Sequence, residues 1–297
     1  MRVVPVAYDS MGVRAMATYV ETDDLRVFID PSVSLAPIRY GLPPHELEWS
    51  RLREMWHAIR ELALQSDVLV VTHYHYDHHN PQEPDIYEGK VALLKHPRDH
   101  INMSQRRRAA YFLELLEGLP SRIEFCDGSS FRFGDTVIEF SKPVFHGTNP
   151  RLGYVVEVSV SCGDEKLLHT SDVEGPSIED QVDFILSQRP GTLIVDGPMT
   201  YMLGYRYSAE SLRLSNQNLV RVIRETDVET IVIDHHFMRD PKFRSRIQPV
   251  YEAASEGGVR VLSAAEYVGR PIEMLEAFRR ELYRGEATPE VLRGEEV

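Results

Sequence analysis

Four side chains able to bind a metal stand close together in the chain: His73, His75, Asp77 and His78, with His79 immediately after. They follow an apolar run, Val68 to Val71, that reads as a short buried strand, so a rigid element would hold them at its exit. Residues two apart lie on one side of an extended backbone, which places His73 and His75 together. Asp77 and His78 come where the chain can turn and face a neighbouring position. Imidazole and carboxylate donors suit zinc, and also iron or manganese. One histidine alone is usually structural, whereas four donors behind one strand form a ligand cluster. His79 is expected to start a helix or to support the ligands from behind. Tyr74 and Tyr76 alternate with the ligands and should point away from them, into packing.

Other elements must bring more donors to this cluster. Short β-branched runs predict strands over 2–7, 14–21 and 25–29. Pro43 and Pro44 then open a helix over 45–64, with Leu47, Leu52, Trp56, Ile59 and Leu62 at helical spacing. Strands follow over 67–71 and 91–94, a helix over 98–116, and further strands over 122–125, 130–133, 136–140, 153–160 and 166–169. The chain then alternates: helix 178–187, strand 192–195, helix 209–225, strand 230–233, helix 243–255, strand 259–262. Two packed sheets with helices outside satisfy that order. No linker or low-complexity segment divides the chain, so 1–297 reads as one domain. Its polar tail, from about 287, is expected to fray.

At 297 residues, with 42% apolar and 27% charged residues, the chain can build a core without a metal staple. A metal cluster therefore asks for a functional explanation. The net charge of −13 argues against broad nucleic-acid binding, which needs a basic face. It leaves room for a small-molecule or short nucleic-acid substrate. Cys126 and Cys162 form no metal-binding or disulfide spacing, which fits a reducing cytoplasm. No apolar run approaches the ~20 residues that span a bilayer, and the N-terminus lacks the apolar length of a signal peptide.

H-x-H-x-D-H at a strand exit resembles the signature of the metallo-β-lactamase superfamily. That resemblance implies an α/β fold, a four-layer αββα sandwich with a metal site at one edge of the paired sheets. It also implies further ligands downstream, and a match for each occurs in order. His146 follows Val144 and Phe145, Asp172 follows the run ending at His169, and His235 and His236 follow Ile231 to Asp234. Asp30, ending an early strand, matches a residue that supports the site from behind. The implied assignment is His73, His75 and His146 on one metal, Asp77, His78 and His235 on the other, and Asp172 between them. Either His235 or His236 could be the terminal ligand. Register favours His235, leaving His236 as a supporting donor or a proton donor to the leaving group. Asp9 to Arg14, Thr170 to Pro176, Val195 to Pro198 and Asp234 to His236 together resemble an archaeal branch described as predicted metal-dependent hydrolases. Two other branches fit less well. Flavodiiron proteins carry Glu where His75 stands, and one nuclease branch inserts a large domain where only Asp172 to His235 is available.

Two divalent ions, zinc first, roughly 3.5–4 Å apart could share and activate one hydroxide. Asp77 would ligate and orient it. The expected activity is hydrolysis of a phosphodiester, in a small nucleotide or short RNA, because Arg239, Arg244 and Arg246 follow the last ligand closely. A carboxylic ester, lactone or thioester is the alternative, and a metal-stabilised binding protein without turnover the alternative of another class. Ser10, Arg14 and Arg239 are the candidate substrate contacts, with Asp9 in the same turn. Arg106, Arg107 and Arg108 read as a solvated helix face. The Gly- and Tyr-rich stretch from Asp196 to Tyr205 should form part of the pocket wall.

Overall fold

The β-branched runs pair into two mixed sheets. In the computed structural model, which describes residues 1–294, the first sheet has six strands side by side in chain order. They are β1 (Arg2–Tyr8), β2 (Met16–Glu21), β3 (Arg26–Ile29), β4 (Val68–Val71), β5 (Val91–Leu94) and β6 (Arg122–Phe125). The first three pair antiparallel and the rest parallel. Helix α1 (Glu46–Gln65) makes the crossover from β3 to β4, and α2 (Met103–Leu115) that from β5 to β6. β4 is buried along its whole length, as an unbroken apolar strand inside a covered parallel sheet must be. The start of α1 is held by His45, whose ring accepts from the Leu47 N–H while Glu48 accepts from the His45 N–H.

The second half supplies β7 (Ser130–Phe133), β8 (Thr136–Phe140), β9 (Val144–Phe145), β10 (Tyr154–Val155), β11 (Val158–Cys162), β12 (Glu165–His169), β13 (Thr192–Asp196), β14 (Thr230–Asp234) and β15 (Arg260–Leu262). Seven of these form a sheet in the order β15-β14-β13-β12-β11-β8-β7, and β9 pairs with β10 beside it. The four strands from β12 to β15 are parallel. Helices α3 (Glu179–Gln188), α4 (Ala209–Glu225), α5 (Phe243–Arg246) and α6 (Gln248–Gly257) cover this sheet. The sheets meet face to face: His169 Nε2 lies 3.0 Å from the Met16 carbonyl, and Thr22 and Thr136 share a hydroxyl hydrogen bond of 2.7 Å. One apolar cluster runs through both. The result is the expected helix–sheet–sheet–helix sandwich. No helix among the described residues is long and apolar enough to cross a membrane.

Four expectations change. The strand expected over 153–160 breaks into β10 and β11, because two backbone donors leave the ladder. Val156 N–H goes to the Thr72 carbonyl at 3.2 Å and Glu157 N–H to the Ser141 hydroxyl at 2.9 Å. The helix expected from 98 starts at Met103, where Asn102 accepts from the Gln105 N–H and caps it. The helix expected over 243–255 divides before Pro249, which has no N–H to offer the preceding turn. The stretch from Ala287, expected to fray, instead carries a helical turn over Pro289–Leu292, with Leu292 buried and its carbonyl accepting from Met274 N–H. Residues 295–297 lie outside the described residues.

Candidate metal centre

The site forms where strands from both sheets end. Asp30 follows β3, the His73–His79 segment follows β4, His146 follows β9, Asp172 follows β12, and His235 and His236 follow β14. Sharp turns aim these groups. Asp30, Ser171, Glu174 and His235 have φ of 51°, 57°, 54° and 59°, in the left-handed region that ordinary side chains avoid. They are four of the seven non-glycine residues in that region among those described, and such strain gathers at functional sites. Gly147, at φ 76°, follows His146; a Cβ there would clash with the Glu174 carboxylate.

Asp172 sits at the centre. Its Oδ2 lies 3.2 Å from His146 Nε2 and 3.6 Å from His73 Nε2, and His73 Nε2 lies 3.1 Å from His75 Nδ1. Its Oδ1 lies 3.0 Å from His78 Nε2 and 3.4 Å from His235 Nε2, and Asp77 Oδ2 lies 3.8 Å from the latter. Two donor groups result, with donor atoms in each within 4.8 Å of one another: His73, His75, His146 and Asp172; and Asp77, His78 and His235. His236 also reaches Asp172 and His235 at this spacing.

Nearly every ring is oriented from behind. His78 Nδ1 is 2.7 Å from Asp30, whose carboxylate also accepts from the Thr72 N–H and hydroxyl. His235 Nδ1 is 2.7 Å from Asp9, and His236 Nδ1 is 2.8 Å from Asp196. His146 Nδ1 lies 3.5 Å from Glu174, and the hydroxyls of Thr72 and Ser171 each lie 3.3 Å from His73 Nδ1. A carboxylate behind a histidine selects its tautomer and makes its other nitrogen a better donor. His79 Nδ1 donates to the His75 carbonyl at 2.9 Å, which braces the ligand loop.

The electrostatics of the cluster's own side chains are conflicted. Burial pushes His73 well below the usual histidine range, with the His78 charge adding, and takes His75 down to about 3. Burial opposes protonation of His78 and His146 too, yet the carboxylates around them outweigh it and raise both to about 10. Asp172 and Asp77 are held well below the carboxylate range, because the surrounding imidazoles overcome the cost of their burial. Burial drives His236 well below its usual range, with Arg239 adding. His78 Nε2, both nitrogens of His146 and Asp172 Oδ1 are buried without a hydrogen-bond partner. Buried polar atoms are normally satisfied, so a convergent set of unsatisfied donors fits a cation as the shared partner. The N/O donor chemistry of both groups suits divalent metals of the zinc type.

The three expected substrate contacts all have partners within the protein. Ser10 is fully buried: its N–H donates to Asp234 and its hydroxyl accepts from Ala265 N–H. Arg239 is 3% exposed, and its Nε donates to Asp9 at 2.7 Å. Arg14 spends two donors on Glu276, at 2.6 Å each. Ser10 and Arg239 are thus held inside the fold, whereas Arg14 keeps 25% of its side chain exposed. Arg246 is likewise tied to Asp240 and Arg244 to the Arg293 carbonyl. Tyr74 is buried and donates to the Lys95 carbonyl, whereas Tyr76 is exposed beneath Arg108. Arg106 and Arg107 are exposed. Sequence reasoning missed Glu174, Thr72, Ser171 and Asp196 as partners of the histidines. One signal was available: Asp196 ends a parallel strand, as Asp234 does, and Asp30 directly follows one.

No family model matches the chain. A UPF0282 protein of Korarchaeum cryptofilum is 55% identical over 284 residues, covering 95% of this chain and 94% of that protein. A UPF0282 protein of Metallosphaera sedula is 47% identical over 293 residues, covering 97% and 94%. Among solved structures, the isothiocyanate hydrolase from Delia radicum gut bacteria superposes with a TM-score of 0.54 at 14% identity, covering 89% of this chain and 95% of that one. That likeness concerns the fold, a metallo-β-lactamase sandwich. The chain, which has the metallo-β-lactamase fold, therefore belongs to the UPF0282 family of archaeal proteins.

Proposed function

We propose that the chain is a metal-dependent hydrolase that works with two divalent cations, zinc first, on a phosphodiester in a small nucleotide or short RNA. The observation that carries this reading is Asp172. Its two oxygens face two separate sets of buried imidazoles, which is the geometry of a bridging carboxylate. We assign His73, His75 and His146 to one cation, and Asp77, His78 and His235 to the other. His235 is preferred to His236 because its Nε2 lies near both Asp77 and Asp172 while Asp9 holds its Nδ1. Bound there, the cations would supply positive charge for a developing oxyanion and lower the pKa of water from 15.7 towards ~7.

The chain's own residues supply the rest. The Asp77 side chain is 17% exposed and stays ionised, so it can accept a hydrogen bond from the attacking water and orient it. His236, with Nδ1 fixed on Asp196 and burial favouring its neutral form, would take a proton from the attacking water at Nε2 and pass it to the leaving oxygen. Asp30, Asp9 and Glu174 hold the histidine rings in place, and His79 braces the loop. Two unpaired cysteines suit a reducing cytoplasm as the working compartment.

The test is turnover of bis(p-nitrophenyl) phosphate and of p-nitrophenyl butyrate by zinc- and manganese-loaded protein, beside Asp172→Ala. Phosphodiester turnover that vanishes in the variant is expected. Turnover of the carboxylic ester alone would move the substrate class to carbonyl compounds. Bound metal with no turnover of either substrate would count against a hydrolase.

A further inference from the structure

Outside the metal ligands, a ladder of alternating cations and aromatic rings leads from the surface to His235. Arg280 lies over Tyr40, with its guanidinium carbon 4.4 Å from the ring centre. Arg39 lies 4.6 Å from the same ring and 4.7 Å from the ring of Tyr201. Arg239 lies 5.9 Å from the Tyr201 ring, and its Nη2 is 3.3 Å from His235 Nε2.

A strained turn fixes the middle of this ladder. Arg39 and Leu42 exchange both backbone hydrogen bonds at 2.9 Å, with Tyr40 at φ 55° and Gly41 at φ 77° between them. Two left-handed residues in a two-residue turn make the tight hairpin that suits Asn-Gly. Tyrosine is unusual there, and strain of this kind is kept where a side chain must be presented.

Arg39 is the rung with donors to spare. Its hydrogen bonds all leave from Nη2, to the Tyr40 hydroxyl and the Arg239 carbonyl, and both are long, at 3.4 and 3.3 Å. Nε is buried without a hydrogen-bond partner, and Glu276 lies 3.9 Å away, already taken by Arg14. Three guanidiniums (Arg14, Arg39, Arg239) share two carboxylates (Asp9, Glu276), with Arg280 on the far side of Tyr40, so cations outnumber anions among these groups. A flat guanidinium held between two rings offers a fixed fork that fits a phosphoanion.

We propose that Arg39, clamped by Tyr40 and Tyr201 on the ladder that leads to His235, binds the phosphate of the substrate and so sets specificity for a phosphate-bearing molecule. The phosphate could belong to a nucleotide or to a smaller ester. This rests on the hydrolase reading above but is tested by binding, without turnover.

The experiment is calorimetric titration of zinc-loaded wild type and Arg39→Ala with 5′-AMP, glycerol 2-phosphate and adenosine, with melting temperatures recorded in parallel. Wild type should bind 5′-AMP, and Arg39→Ala should bind it about tenfold more weakly, the loss of one charge-assisted contact. Equal loss for glycerol 2-phosphate would identify the phosphate as the sole determinant; loss for 5′-AMP alone would identify a nucleotide. Should Arg39→Ala fail to fold, Arg39→Lys decides. Weaker 5′-AMP binding at a wild-type melting temperature supports the proposal. Wild-type affinity in either folded variant overturns it, and so does a wild type that binds neither phosphate. Arg39-dependent binding without phosphodiester turnover would overturn only the hydrolase reading.

Discussion

Replacing Asp9 by asparagine separates two roles of one carboxylate. Oδ2 lies 2.7 Å from His235 Nδ1, and Oδ1 accepts from Arg239 Nε at 2.7 Å. Both partners are buried. Asparagine keeps the shape but has only one acceptor oxygen, so one partner loses its acceptor and Arg239 loses its counter-charge. Removing one member of a buried ion pair costs ~3–5 kcal/mol. At roughly 2–4 °C per kcal/mol for a chain of this size class, the metal-free protein should melt about 6–20 °C lower. The low end is expected, because Glu276 also stabilises the Arg239 charge. The second effect is on metal. Outer partners of ligating histidines are worth ~10–100-fold in affinity. Only the cation assigned to Asp77, His78 and His235 should weaken, since the His73, His75 and His146 rings do not touch Asp9. Competition with a chromophoric chelator, fitted to two sites, reads this directly. Unchanged affinity at both sites, or equal weakening of both, would refute the reasoning.

Two further perturbations probe the framework. Both carboxylate oxygens of Glu157 are buried without a hydrogen-bond partner, and burial raises its pKa well above the glutamate range, with Asp183 adding. The folded chain then keeps a proton that the unfolded chain releases above ~4.3, so stability falls as pH rises from there until the raised pKa is passed. Glu157→Gln should therefore gain in melting temperature over wild type between about pH 5 and about pH 8; a constant difference across that range would exclude the buried charge as the cause. Glu48 and Arg279 are both buried and form a two-pronged pair at 2.7 and 2.8 Å, and Arg279 also donates to the carbonyls of Ala36 and Leu42. Glu48→Gln should cost ~3–5 kcal/mol in urea unfolding, and a wild-type midpoint would show that the pair adds nothing to stability.

Much of the architecture was legible because periodicity and punctuation are local. The strands β5, β6, β7 and β8 and the helix α4 occupy the stretches read for them, each bounded by turn residues. The failures arose where a distant partner intervened. β10 and β11 divide because Thr72 and Ser141 accept the donors of Val156 and Glu157, residues far away in sequence. The tail packs because Met274 and Leu292 meet, although nothing in its polar composition announces a partner.

The site divides in the same way. The chemistry of His73, His75, Asp77 and His78 is a property of sequence, since donor type and spacing on one strand exit are local facts. Which remote donors join them, and how each ring is turned, depends on carboxylates from other strands: Asp9 on His235, Asp30 on His78, Asp196 on His236. The arginines show the limit most plainly. Arg14, Arg39 and Arg239 carry the same charge in the sequence, yet folding commits Arg14 to Glu276 and Arg239 to Asp9 and leaves Arg39 with donors unused. Residue type sets what a side chain can bind, but burial and partner geometry decide what remains free to bind, and these exist only once the two sheets have closed on each other.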